Sequence, residues 1–320
     1  MSVLVTGGAG FIGSHFIEWL LARDAESRVV CLDNFNDYYA PRHKRANVAL
    51  FAADPRVKIV EGTFCDAAAM RQVFAAEQVR RVVHLGAYAG VRASIAHPLI
   101  YEEVNVRGTL VLLEAARAAG VERFLLISSS TVYGGRAQIP FQEDAPLGIP
   151  LSPYGATKQA AELLCQTYQH LHGLPTVRLR PFNVYGPRIR PDLALYVFAR
   201  AMIEGRGVPL YGDGSVRRDF THVSDVCEGL GAALTAPQAV GQAINLGHHA
   251  PISMRELLTQ LEQTIGRKAI VERRPAVAGD MPVTCADLTK AQRLLAYSPR
   301  IALADGLRDF VAWLRNQSAD

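Results

Sequence analysis

Cysteine is scarce and badly placed for pairing. Five residues, Cys31, Cys65, Cys165, Cys227 and Cys285, are scattered through 320 positions with no Cys-x-x-Cys. That excludes a disulfide framework and makes a reducing, cytoplasmic location the expectation. The nine histidines form no metal-ligand spacing: His170 and His172 would face different sides of a helix, and His248-His249 falls in a loop-like stretch. No metal is expected. Long apolar runs are missing too, so no segment is read as spanning a membrane. No signal peptide is expected, because a strand-like segment starts almost at Met1. There is no Lys/Arg block, and the net charge is only +4. Nucleic acid and membrane surfaces are therefore not expected as partners. Repeats and low-complexity stretches are absent as well.

What charge there is comes in small arginine groups: Arg178 and Arg180, Arg188 and Arg190, Arg217 and Arg218, Arg273 and Arg274. Such pairs suit discrete anions such as phosphate or carboxylate. Apolar residues make up 49% of the chain, ample for the core of one large or two interleaved domains.

The chain opens with a short apolar run, Val3-Leu4-Val5. Residues 6–13 follow, Thr-Gly-Gly-Ala-Gly-Phe-Ile-Gly, and then a helix-like stretch over 14–21. In a strand–turn–helix frame, the glycines let the backbone turn tightly and approach a pyrophosphate at the helix N-terminus. A second strand, 28–32, ends at Asp33, whose carboxylate suits the hydroxyls of an adenosine ribose and repels a 2′-phosphate. NAD is favoured over NADP. Strand and helix then alternate: strands over 57–60, 81–85 and 123–128, and helices over 67–77 and 101–119. That alternation predicts a doubly wound parallel sheet. The 123–128 strand runs into Ser128-Ser129-Ser130-Thr131, hydroxyls at the ligand edge of such a sheet, or else ordinary caps.

Tyr154 and Lys158 are four apart, so on a helix they share a face. A free phenol has a pKa of about 10, and a neighbouring ammonium lowers it, giving a tunable proton acceptor. The same spacing also describes a surface pair on an amphipathic helix. After a strand over 176–180, regularity falls. Helices are expected over 193–204, 253–264, 288–295 and 303–314, and a strand over 243–247.

Together these stretches resemble the extended short-chain dehydrogenase/reductases, and within them the nucleotide-sugar 4-epimerases. The likeness covers nearly the whole chain. It is carried by residues 6–13, Asp33-Asn34, His84-Leu85-Gly86-Ala87, Asn105-Val106-Arg107-Gly108-Thr109, 128–134, Tyr154-Gly155-Ala156-Thr157-Lys158, 180–187 and Arg218-Asp219-Phe220-Thr221-His222-Val223. The resemblance implies an α/β fold, a doubly wound parallel (Rossmann) sheet with a smaller, interleaved C-terminal substrate-binding domain. Residues 1–180 would hold NAD, a strand and helix near 222–247 would return to them, and 181–320 would mainly hold a nucleotide sugar. It implies a homodimer joined by the helices at 101–119 and 154–172 in a four-helix bundle.

Roles carry over in the same way. Tyr154 would take the sugar 4-hydroxyl proton, Lys158 would bind the nicotinamide ribose, and Ser129 would hydrogen-bond the reacting oxygen with Thr131 beside it. Gly7, Gly10, Phe11, Ile12, Gly13, Asp33, Asn34, Asp66, Leu85, Gly86, Ala87, Asn105 and Pro181 would contact the cofactor. Arg92, Ser130, Asn183, Arg190, Tyr211, Arg218 and Asp280 would contact the UDP-sugar. The mechanism implied is oxidation and then reduction at C4, with a 4-keto sugar turning over in between.

Related 4,6-dehydratases carry an Asp-Glu pair where this chain has Ser130-Thr131, and related decarboxylases carry Glu at the Thr131 position. A lyase is thus the alternative from another class. A non-enzymatic NAD-binding regulator is a third reading, and it would not need Tyr154, Lys158 and Ser129. Asn36-Asp37-Tyr38-Tyr39, Ala89-Gly90-Val91-Arg92 and Arg190-Pro191-Asp192-Leu193-Ala194 look like UDP-glucuronate 4-epimerases. Arg190 or Arg92 would meet the uronate. Four departures stand out. Asn183 is as in the UDP-glucose type. Thr63 replaces a common adenine-binding Asp. Val277 sits where a phosphate-binding Arg is usual. Thr284 is small enough to admit an N-acetyl-hexosamine. UDP-glucose and UDP-N-acetylglucosamine are the alternative substrates.

Overall fold

Strands apolar on both faces are stable only between two layers of helices. The computed structural model, which describes residues 1–135, 138–276 and 281–317, shows that arrangement. Strands β1 (Ser2–Thr6), β2 (Arg28–Asp33), β3 (Val57–Glu61), β4 (Arg81–His84), β5 (Arg123–Ile127) and β6 (Thr176–Pro181) lie in one parallel sheet. The chain then leaves the sheet for β7 (Val184–Tyr185), β8 (Gly207–Tyr211), β9 (Arg217–Arg218) and β10 (Thr221–His222). It returns in β11 (Ala243–Leu246), which pairs in parallel with β6. The order is β3-β2-β1-β4-β5-β6-β11, so the direction of winding reverses between β1 and β4. A crevice opens at that switch point, beyond the strands' C-terminal ends. The last strands, β12 (Ile252–Ser253) and β13 (Ile270–Arg274), pair with β9 and β8 in small sheets.

Side chains alternate across each main strand. Val3 and Val5, Val29 and Cys31, Leu125 and Ile127 enter one core; Leu4, Val30, Leu32, Phe124 and Leu126 enter the other. Helices α1 (Phe11–Arg23) and α2 (Pro41–Ala49) contribute to the first core, and α3 (Ala67–Ala76) to the second. Short helices α4 (Val91–Ala96) and α5 (Pro98–Tyr101) lead into α6 (Gly108–Ala118), which packs beside α3 and α7 (Pro153–His172). In the second half come α8 (Ala194–Glu204), α9 (Val223–Thr235), α10 (Met254–Ile265), α11 (Thr289–Leu295) and α12 (Leu303–Arg315). Of these, α9 packs against α1 and the β5–β6 face. The first core continues without a break into α8, α10 and α12.

One helix differs from its sequence reading. The helix expected over 101–119 begins at Pro98 and widens into a π-helical turn over Glu102–Arg107. The widening buries Asn105 inside the fold. Its Oδ1 accepts from Tyr88 N at 2.9 Å, and its Nδ2 donates to Tyr88 O at 2.9 Å and to Thr157 Oγ1 at 3.1 Å. Those bonds offset the poorer helical geometry. The helix α2 and the strands β8 and β13 escaped the reading. The 41–49 stretch is mostly polar, and β13 is exposed along its whole length, so neither shows a buried stripe. Among the described residues no helix is long and apolar enough to cross a membrane.

Candidate active site

The glycine turn after β1 meets the loop after β4. Gly7 has φ +66°, and a Cβ there would fall 2.8 Å from Gly86 N. Only glycine permits both the conformation and the contact. Thr6 Oγ1 accepts from Gly86 N at 3.1 Å and lies 2.7 Å from His84 Nδ1, so the two loops are tied at the switch point. Burial holds the His84 pKa down to about 3, with Lys158 adding to the shift, so its ring is neutral. Gly10 forms the N-cap of α1 without any side-chain cap. A Cβ on Gly10 would meet only Gly7 O, at 3.1 Å, and otherwise project into open space. That is a cradle for an anion at a helix N-terminus. At the end of β2, Asp33 accepts from Ala9 N at 3.2 Å and Phe35 N at 2.9 Å. Burial raises its pKa, opposed first by Lys44 and then by these backbone donors. An anion cradle and a buried carboxylate at the end of β2 both fit NAD.

Helix α7 forms the opposite wall. Ser152 caps it by accepting from Gly155 N at 3.1 Å, Pro153 occupies the first turn, and Gly173 ends it with φ +64°. Tyr154, Lys158 and Glu162 then succeed one another at intervals of one turn on the inner face. Ser129, just after β5, sits close enough to the Tyr154 phenol to lower its pKa. It accepts from Thr131 N at 3.2 Å and Thr131 Oγ1 at 3.0 Å, leaving its own proton free to donate. Burial raises the Tyr154 pKa; Ser129 and the Arg190 charge pull it back. The sequence reading gave that role to Lys158, whose ammonium burial itself draws down to about 8 against Glu162 and Cys165. Glu162 is buried and gripped by Arg180 (Nε 2.9 Å, Nη2 2.6 Å) and by Ser128 Oγ (2.5 Å). The same carboxylate therefore locks both the α7 face and the strand end that carries Ser129.

At the far end of the site the loop after β7 brings in Arg190. Its Nε donates to Asp192 Oδ1 and its Nη2 to Asp192 Oδ2, both at 2.9 Å. The guanidinium lies 5.5 Å from the centre of the Tyr38 ring.

A cavity of about 410 Å³ joins these parts. Of the residues singled out in the sequence, Gly7, Gly10, Phe11, Ile12, Gly13, Asp33, Asn34, Leu85, Gly86, Ala87, Ser129, Ser130, Thr131, Tyr154, Lys158, Pro181, Asn183 and Arg190 line it. Others do not. Asp66 is the N-cap of α3, its Oδ1 accepting from Ala68 N and Ala69 N. Asn105 stands behind the wall and holds the Tyr88 loop. Arg92 stacks on Tyr211 at 4.2 Å, away from the cavity lining. Arg218 donates through Nη1 to the carbonyls of Arg217 (2.8 Å) and Met281 (2.7 Å). Asp280 and Val277 lie outside the described residues. Sequence reasoning missed Lys44, Phe64 and Tyr88, all in the lining. Lys44 sits in a polar helix with no spacing relation to Asp33, and nothing in the sequence marks it.

A phenol, a serine and a lysine facing a dinucleotide cradle define the short-chain dehydrogenase/reductase class, and the length and second half define its extended form. Comparison with known proteins narrows this. Residues 3–247 match the model of the NAD dependent epimerase/dehydratase family, and the chain belongs to that family. It is 39% identical over 312 residues to a UDP-glucuronate 4-epimerase of Thermodesulfobacterium geofontis, covering 97% of this chain and 95% of the relative. The crystal structure of UDP-glucuronic acid 4-epimerase from Bacillus cereus, in complex with UDP-glucuronic acid and NAD, superposes with a TM-score of 0.94 at 36% identity, covering 98% and 99% of the two chains. A dTDP-glucose 4,6-dehydratase from Streptomyces venezuelae, with NAD bound, follows at a TM-score of 0.92 and 35% identity over 98% and 97%.

Proposed function

We propose that this protein is an isomerase that interconverts UDP-glucuronate and UDP-galacturonate by inverting C4, with NAD as its resident cofactor. The observation that carries the reading is that Tyr154, Ser129 and Arg190 line the same cavity as the glycine cradle and Asp33. When bound, NAD supplies a reversible hydride acceptor at C4. Gly7, Gly10 and Gly13 hold its pyrophosphate, Asp33 the adenosine ribose and Lys158 the nicotinamide ribose. Tyr154 takes the C4 hydroxyl proton and later returns it, while Ser129, held by Thr131, donates to the same oxygen. Inversion requires the 4-keto sugar to present its other face. The chain must therefore hold the nucleotide diphosphate firmly and the hexose loosely. Asn183, which lines the cavity, serves the nucleotide diphosphate in this reading.

Two features favour epimerisation over elimination or decarboxylation. Ser130 and Thr131 offer hydroxyls where a dehydratase needs an acid and a base. Arg190 offers a cation to the uronate. A 4-keto uronate is a β-keto acid: its C5–C6 bond breaks, CO2 leaves, and the bonding pair moves into the C4 carbonyl as an enolate that takes a proton at C5. Pairing the carboxylate with Arg190 opposes that departure.

We further assign residues 1–180, with β11 and α9, to the cofactor and 181–320 mainly to the nucleotide sugar. The chain pairs as a homodimer through α6 and α7. Leu99, Leu163 and Leu171, on and beside these helices, are 83%, 61% and 64% exposed, which supports a covered face.

The test is incubation with UDP-glucuronate, followed by NMR and mass spectrometry. UDP-galacturonate at unchanged mass supports the reading, and Arg190→Ala should then raise CO2 release. No conversion refutes it and redirects the assay to UDP-glucose and UDP-N-acetylglucosamine. Their candidate gate is the Thr284–Asn183 pair, whose side-chain oxygens lie 3.4 Å apart.

A further inference from the structure

A guanidinium has two edges that can grip a carboxylate: the side formed by Nε and one Nη, and the end formed by the two Nη atoms. In Arg190 the side edge is taken by Asp192, with both bonds at 2.9 Å. Arg190 lines the cavity and Asp192 does not. Asp192 therefore holds the cation from behind. A third group steadies the pair from a different loop: Tyr38 lies under the guanidinium, and its hydroxyl reaches Asp192 Oδ2 at 3.5 Å. The clamp thus bridges the loop after β2 and the loop after β7, one from each half of the chain.

We propose that Asp192 is a positioning residue for substrate specificity: it fixes the side edge of Arg190 so that the end edge meets the substrate carboxylate in a two-point pairing. This rests on the uronate reading above and adds to it a source of geometric selection. Asp192 also offsets much of the Arg190 charge. A carboxylate is then recognised by the fit of two parallel hydrogen bonds more than by net attraction. An arginine without this hold would sample many rotamers and meet the carboxylate in several poses. The pair is itself part-exposed, at 20% and 37%, so its loss should cost little stability and the variants should fold.

The experiment compares wild type with Asp192→Asn, Asp192→Glu, Arg190→Ala and the Asp192→Asn/Arg190→Ala double variant, each as the full chain with its NAD content measured. UDP-glucuronate turnover, CO2 release and UDP affinity are followed in parallel. Asp192→Asn is expected to raise the KM for UDP-glucuronate by about 10-fold, the order of a charge-assisted hydrogen bond, and to release CO2. UDP affinity and NAD content should stay at wild-type levels, and Asp192→Glu should recover part of the loss. The double variant should be no worse than Arg190→Ala, because Asp192 acts only through Arg190. An Asp192→Asn enzyme with wild-type KM and no CO2 release overturns the proposal and leaves the uronate reading standing. An equal loss of UDP affinity also overturns it, as general loosening. A wild type that fails to convert UDP-glucuronate removes both.

Discussion

Asp33 is buried at the end of β2, and burial by itself favours its neutral form. Lys44, only 5% exposed and held by Asn36 through its carbonyl (2.9 Å) and Oδ1 (2.7 Å), is the first of the groups opposing that shift. The balance still leaves the Asp33 pKa above its ordinary value. The proposed ribose contact needs a carboxylate, so NAD affinity should weaken on acidification at a higher pH than an ordinary aspartate would give. Lys44→Met removes the opposing charge, raises the Asp33 pKa further, and should move the fall in affinity to still higher pH. NAD titrations over a mildly acidic pH series check this; an unchanged pH profile would show that Lys44 does not tune the site. Tyr154 was legible from its spacing to Lys158, but its electrostatics were not. Burial governs the phenol, and the charge that draws it down is Arg190, which lies 36 residues further along the chain.

At the scale of the element, α7 and the end of β5 act as one body. Glu162 accepts from Arg180 on β6 and from Ser128 just after β5; Arg180 Nη1 continues to Tyr133 OH (3.1 Å), and Tyr133 to Asn245 on β11 (2.6 Å). The ion pair is 3% exposed on both sides. Removing one partner of such a pair strands the other charge. Glu162→Ala should therefore cost about 3–5 kcal/mol, measured by urea unfolding. Replacing both Glu162 and Arg180 with apolar residues of similar volume should recover much of that. If Glu162→Ala cost under about 1 kcal/mol, the pair would be behaving like a surface bridge. The π-helical turn belongs at this scale too. Asn105 reads as a cofactor contact through its motif. In the fold its side chain closes on the Tyr88 backbone, because a buried amide must find partners.

For the whole molecule, alternation of strand and helix was enough to foresee the parallel sheet, since each βαβ unit is a local pattern of apolar periods. The two-stranded sheets of the second half were not foreseen. Their strands are two to five residues long and pair over long sequence distances, as β8 does with β13. The proposed dimer is tested at this scale. Leu99→Glu with Leu163→Glu should leave a monomer by analytical ultracentrifugation, with little change in the stability of each chain. A variant that still sediments as a dimer would place the contact elsewhere.

Sequence by itself determined the parts that depend on neighbours: the glycine turn, the carboxylate at the end of β2, the hydroxyls after β5, and the Tyr154–Lys158 spacing. Each is set within one or two turns of chain, where backbone geometry decides which side chains share a face. Only the tertiary structure decided which of these meet. It brought Arg190 to Tyr154, set Lys44 against Asp33, sent Asp66 to cap a helix, and turned Asn105 and Arg218 toward backbone carbonyls. Burial and long-range contact settle such choices, because a buried charge or amide takes whatever partner the packed chain presents, and that partner has no fixed distance in sequence.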